Sequence, residues 1–151
     1  MNIFNDLNEV EKLLGEELGK SAWKKVSQSR IWAFGRVTND NQWIHTNPLM
    51  AKKFSPYKKP IAHGFLVLSF IPSMLNEIYS IKSVKMAVNY GLNKVRFTAP
   101  VVVNSRIRAS LALQEFKRLK NGAKLILEVT IEIEGESKPA CVAEQVILLY
   151  E

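Results

Sequence analysis

Cysteine and histidine are almost absent from this 151-residue sequence, which has one cysteine, Cys141, and two histidines, His45 and His63. A lone thiol closes no internal disulfide, and Cys141 has no partner at metal-ligand spacing. Set in an apolar stretch, it reads as an inert packing residue of a protein kept in a reducing cytoplasm. Long hydrophobic runs are missing too. The greasiest segment, IAHGFLVLSFIPSML, is too short to span a bilayer and contains a proline, so no membrane association is expected. The opening residues, MNIFNDLNEVEKLLGEELGK, carry acids where a signal peptide would have an apolar centre. There is no internal repeat, low-complexity run or long linker. A single domain covering residues 1–151 follows, large enough to bury about two thirds of its unfolded surface.

Negative charge is the scarcer sign. Lys and Arg number 21 against 14 Asp and Glu, for a net charge of +7. The basic residues are scattered, no nucleic-acid motif accompanies them, and the three tryptophans form no base-stacking pattern. Nucleic acid is therefore not an expected partner. A basic surface also suits a small ligand carrying several phosphates.

The first half of the chain reads as helical. A helix is predicted over residues 5–18, capped by Asn5 or Asp6, making residues 1–20 an N-terminal helical extension. A second is predicted over 28–38 with Ser27 as its N-cap, and a third begins at Pro48. Residues 60–81 contain a stretch that is apolar on nearly every face from Gly64 onward, the mark of a buried helix, which Pro72 kinks or breaks. The second half changes period. Ala123, Leu125, Leu127, Val129, Ile131 and Ile133 alternate with mostly polar neighbours, as do Ile107, Ala109, Leu111 and Leu113, so each run is a strand with one face in the core. Asn121-Gly122 between them signals a hairpin. The VKMAVNYGLNKVRF stretch switches phase near Asn93, where a bulge is expected. Residues 140–149 are apolar on both faces, which suits a central or interface strand. The economical fold is α+β, an antiparallel sheet wrapped around the apolar helix.

Ten residues, TNDNQWIHTN, hold Asp40 and His45, five apart at the exit of a short helix. That spacing lies on no shared helix or strand face, so a loop has to bring the two side chains together. A carboxylate and an imidazole titrating near neutrality form an acid–base pair. A turn in which His45 makes only a local hydrogen bond is the alternative. Gly64 opens the apolar helix, where the first N–H groups lack internal partners and the dipole favours negative charge. Its N–H is a candidate oxyanion donor; alternatively, Gly64 permits close packing and His63 beside it caps or packs. Trp43 and Ile44 read as core or pocket wall.

Taken together, TNDNQWIHTNPLMAKKF, PIAHGFLVLSFIPSML and VNYGLNKVRFTAPVVVNSRIRA resemble the MaoC-like dehydratases, and within them the NodN-like branch. The resemblance runs from about Ser21 to the C-terminus. It implies the hot-dog fold, a sheet around a central helix, and (R)-specific hydration of trans-2-enoyl-CoA, as in fatty acid metabolism. It also implies Asp40 and His45 as the catalytic pair and Gly64 as the oxyanion-hole glycine. Gln42 would support the catalytic loop, and Gln42, His63, Lys94 and Arg96 would contact substrate, the last two through the CoA phosphates. No metal and no redox cofactor is implied, and the partners are an acyl-CoA or acyl-carrier thioester and a second copy in a homodimer. Two departures stand out: Asn39 replaces the glycine usual before the aspartate, and Asn47 replaces an aspartate common after the histidine. The competing activities are an acyl-CoA thioesterase and a non-catalytic acyl-CoA binding protein.

Overall fold

The alternating second half of the chain makes the frame on which everything else is hung. The computed structural model describes residues 1–151. The chain opens with β1 (Asn2–Phe4), α1 (Leu7–Glu11), β2 (Glu17–Lys20) and β3 (Lys24–Lys25). Five helices follow: α2 (Gln28–Thr38), α3 (Trp43–Thr46), α4 (Pro48–Phe54), α5 (Gly64–Ser69) and α6 (Ile71–Ile78). Then come β4 (Tyr79–Ile81) and four long strands, β5 (Met86–Phe97), β6 (Arg106–Leu119), β7 (Gly122–Ile133) and β8 (Cys141–Tyr150). The main sheet is antiparallel in the order β2-β6-β7-β8-β5, with β3 also on β6. The fold is α+β.

The predicted alternation holds. Ile107, Ala109, Leu111 and Leu113 on β6 are buried, as are the odd-numbered apolar residues of β7. They meet Ile71, Met74, Leu75 and Ile78 of α6 in one continuous core. Each fully buried leucine or isoleucine there contributes about 1.5–3 kcal/mol. The helix starts also follow the sequence: Ser27 accepts from the Arg30 N–H to cap α2, and Pro48 is the first residue of α4. The β5–β8 register slips between Leu92 and Lys94, at the expected bulge, and again between Asn89 and Gly91.

Two expectations need correction. The N-terminal helical extension is absent: Asp6 caps a helix of only five residues. Gly15 and Gly19 then take positive φ, +86° and +130°, which a right-handed helix cannot use. The chain instead lays β2 along β6 and buries Leu18. Of the two outcomes expected of Pro72 in the apolar helix, the structure shows the break. Pro72 has no N–H to give the preceding turn, and α5 and α6 part at Phe70; the end of the segment becomes β4, parallel to β1. That helix is also not buried all round, since Phe65 is 68% exposed. As expected of a strand apolar on both faces, β8 is central, between β7 and β5, and the sheet ends at β2 on one side and β5 on the other.

The β6–β7 hairpin forms where expected, but Leu119 pairs with Gly122 and the turn is Lys120-Asn121. Gly122 itself, at φ +148°, lies so close to β8 that a Cβ would come 1.8 Å from the Leu149 carbonyl oxygen. Gly122→Ala should therefore cost about 2–4 kcal/mol in urea unfolding. Gly135→Ala, at φ +80° with open space around it, should cost only about 1 kcal/mol. Equal losses would mean that backbone strain, and not the approach to β8, makes glycine necessary at 122.

Candidate active site

Helix α2 holds the loop that carries the polar decad. Asn39, at φ 59° and ψ 18°, takes the left-handed conformation that reverses the chain after α2, so asparagine serves where a glycine is usual. The loop returns tightly onto the helix: a Cβ on Gly35 would lie 2.8 Å from the Asp40 carbonyl oxygen. Trp32 Nε1–H donates to the Thr46 carbonyl at 2.8 Å, and the Gln28 amide donates to the His45 carbonyl at 2.9 Å. One helical turn, α3, is closed by the Gln42 carbonyl, which accepts from the His45 and Thr46 N–H groups. Asn47, in place of the aspartate, caps α4 by accepting from the Met50 N–H at 3.0 Å.

The loop brings Asp40 and His45 together. One ligand-type atom from each of Asp40, His45 and His63 lies within 4.8 Å of the others, close enough for one water to hydrogen-bond the carboxylate and the imidazole. His45 Nδ1 is 2.8 Å from the Ile61 carbonyl oxygen. A carbonyl only accepts, so Nδ1 carries the hydrogen and Nε2 keeps its lone pair. The ring is thus oriented by a backbone carbonyl, not by the carboxylate. His45 and Gly64 both line a cavity of about 370 Å³, shared with Tyr57, Ile61, Val67 and Phe97 among others. Asp40 is half-exposed and does not itself line this cavity. The Gly64 N–H stands at the first position of α5, with no carbonyl one turn earlier in the helix. A Cβ there would meet the Phe97 ring at 3.0 Å, so glycine lets that ring lie against the start of α5. In each imidazole one nitrogen faces a main-chain carbonyl, His45 Nδ1 that of Ile61 and His63 Nε2 that of Asp40.

Other residues assigned from the sequence lie elsewhere. Strand alternation sends Lys94 and Arg96 to the face of β5 opposite Val95 and Phe97. Lys94 pairs there with Glu144 at 2.8 Å, and Arg96 turns back to its neighbour's carbonyl, so neither lines the cavity. Gln42 supports the loop through its main chain; its side chain is exposed and off the cavity. Trp43 is 37% exposed and Ile44 only half-buried, and neither forms the cavity wall. His63 is 3% exposed and also off the cavity. Its ring lies against that of His45. Cys141 is buried, as expected, and burial pushes its thiol up to about 11. The Ile61 carbonyl and Phe97 had no sequence signal, because a backbone acceptor has no residue identity and Phe97 is one apolar strand residue among many.

Residues 9–134 match the family described as the MaoC like domain. The chain belongs to the MaoC-like dehydratase family. Among relatives of this MaoC-like chain, 3-hydroxyacyl-thioester dehydratase Z of Mycobacterium tuberculosis is 42% identical over 148 residues, 97% of each chain. Nodulation protein N of Rhizobium leguminosarum bv. viciae is 40% identical, covering 95% of this chain and 90% of the relative. The monoamine oxidase regulatory protein from Archaeoglobus fulgius superposes with a TM-score of 0.81 at 25% identity, covering 99% and 97% of the two chains. R-hydratase PhaJ1 from Pseudomonas aeruginosa superposes with a TM-score of 0.75 at 19% identity, covering 91% and 82%, which supports the shared hot-dog fold. No helix of this MaoC-like domain is long and apolar enough to cross a membrane.

The environment of His45 holds its pKa below the usual 6.5. Burial is the main cause and His63 adds to it, while the Ile61 carbonyl and Asp40 oppose it. The folded protein therefore binds this proton less readily than the unfolded chain does, so the His45 contribution to stability is lost as pH falls below about 6.5. Urea unfolding between about pH 7.5 and pH 5 should show stability declining on acidification, and His45→Gln should flatten that decline. An unchanged slope in the variant would assign the decline to other groups.

Proposed function

We propose that this protein catalyses the reversible, (R)-specific hydration of trans-2-enoyl thioesters, acting as a hydro-lyase through Asp40, His45 and the Gly64 N–H. The convergence of that carboxylate and imidazole beside a cavity that also exposes Gly64 carries the proposal. The name of the 42% identical mycobacterial relative, a 3-hydroxyacyl-thioester dehydratase, supports the same chemistry.

In the hydration direction the thioester carbonyl sits against the Gly64 N–H. Asp40 and His45 hold one water between them. As its oxygen adds to C3, the C2=C3 electron pair moves toward the carbonyl and negative charge gathers on that oxygen. The Gly64 donor gains strength as this charge develops, and one such donor is typically worth about 3 kcal/mol in the transition state. The water proton passes to the acid–base pair and is returned to C2 on the same face, so water is added in full. Holding His45 unprotonated near neutral pH leaves Nε2 free to take the proton, and such acid–base help contributes about 10²- to 10⁴-fold.

Purified protein given a short trans-2-enoyl-CoA should remove the conjugated absorbance without releasing thiol. Asp40→Asn and His45→Ala should each lose about two orders of magnitude or more in kcat while remaining folded by circular dichroism. Equal rates in all three proteins would refute the assignment. Free thiol release would instead mark a thioesterase, and tight binding without turnover a carrier.

We also propose that the functional unit is a homodimer. The longer edge strand, β5, has twelve residues and leaves Met86, Tyr90, Leu92 and Phe97 exposed, next to exposed Phe65 on α5. A long apolar edge left unpaired invites strand addition, and a second copy satisfies both the backbone groups and the apolar side chains. Light scattering at micromolar concentration should give about twice the 17.2 kDa chain mass, and Tyr90→Lys with Leu92→Lys should reduce it to the monomer value. A wild-type monomer would contradict the proposal.

A further inference from the structure

The chemistry above leaves His63 without a task, although its placement is the most constrained at the site. It is 3% exposed. Its ring stacks on the His45 ring with centroids 3.9 Å apart and planes at 28°, and packs on Phe34 of α2 at 5.1 Å. Its Nε2 lies 2.9 Å from the Asp40 main-chain carbonyl oxygen and 4.0 Å from Asp40 Oδ2. Both oxygens accept, so Nε2 carries the hydrogen. Nδ1 is buried without any hydrogen-bond partner. A residue present only to fill space would not need this orphaned nitrogen, since a phenylalanine fills a similar volume without the cost of burying an unpaired polar atom.

We propose that His63 is a positioning residue for the acid–base pair: its ring face fixes the plane of the His45 imidazole while its Nε2–H fixes the main chain of Asp40. The Ile61 carbonyl holds one edge of the His45 ring, and the His63 stack holds its face. An edge and a face together leave the imidazole a single orientation, with Nε2 available beside the cavity. The Asp40 backbone is set by the same ring, so one side chain determines how carboxylate and imidazole sit relative to each other. Alignment of this kind is made during folding and need not be found again in each turnover. The titratable groups facing His45 are Asp40 from the loop after α2, His63 ahead of α5, and the Tyr57 phenol across the cavity.

The inference rests on the hydratase reading for its kinetic consequence but not for its physical one, and the test uses both. Three variants separate the contacts: His63→Phe keeps a ring face without the donor, His63→Gln keeps a donor without the stack, and His63→Ala keeps neither. In unliganded protein, nuclear magnetic resonance of the His45 imidazole should report hydrogen on Nδ1 in wild type. The glutamine and alanine variants should move the His45 titration upward, and the phenylalanine variant should move it less. With the enoyl-CoA substrate, kcat should fall about ten- to a hundredfold while KM stays within about threefold. The acid limb of the kcat/KM profile should shift with the resonance titration. An unchanged His45 tautomer and titration in folded glutamine and phenylalanine variants would overturn the proposal, as would a loss confined to KM, which would make His63 a substrate contact. Should wild type hydrate no enoyl thioester, the hydratase reading fails, and the His45 resonances still decide for or against the positioning role.

Discussion

Two chain segments, 40–46 and 61–63, are fastened to each other by a reciprocal set of hydrogen bonds, and the site exists only because of it. The Ile61 N–H donates to the Ile44 carbonyl at 3.2 Å, His45 Nδ1–H donates to the Ile61 carbonyl at 2.8 Å, and His63 Nε2–H donates to the Asp40 carbonyl at 2.9 Å. Two of the three use an imidazole as donor to the opposite main chain. The second segment is fixed in turn against residues 101–103, through the Ala62 N–H to the Val101 carbonyl and the Val103 N–H to the Pro60 carbonyl. The polar loop is thereby referenced to the sheet without being part of it.

This fastening sets the electrostatics as well as the geometry. Pressing His45 between the Ile61 carbonyl and the His63 ring removes water from one side of the imidazole, which disfavours its charged form. Asp40 pulls the other way but is half-exposed, and solvent weakens its influence. The balance leaves a neutral imidazole with a defined tautomer next to an open cavity, the state a general base requires. The break between α5 and α6 contributes indirectly. Ending α5 at Ser69 lets α6 turn its apolar residues into the core while the short α5 keeps Gly64 at the cavity wall and leaves Phe65 outside.

The sheet was the most legible part of the chain, because a strand with one buried face writes its period directly into the sequence. Ile107 to Leu113 and Ala123 to Ile133 all face inward as their alternation requires. Local helix-start chemistry was equally readable at Ser27 and Pro48. Reading failed where a local preference competed with a distant partner. Residues 12–18 look helical in isolation, yet Leu18 is buried only when β2 lies on β6. Lys94 and Arg96 were assigned by charge and not by face, and the strand period placed them outward, Lys94 against Glu144 and Arg96 on the Val95 carbonyl.

The sequence alone determined the residue types of the site and their order: a carboxylate and an imidazole five apart, then a glycine opening an apolar helix. It determined the fold class as well, because periodicity and turn chemistry are properties of neighbouring residues. Only the tertiary structure decided which groups work together. The Ile61 carbonyl that fixes the His45 tautomer, the ring of His63 beneath it and the Phe97 ring against Gly64 are contacts between segments far apart in the chain. Such contacts leave no periodic trace, because a backbone carbonyl or a buried ring gains its role from position alone.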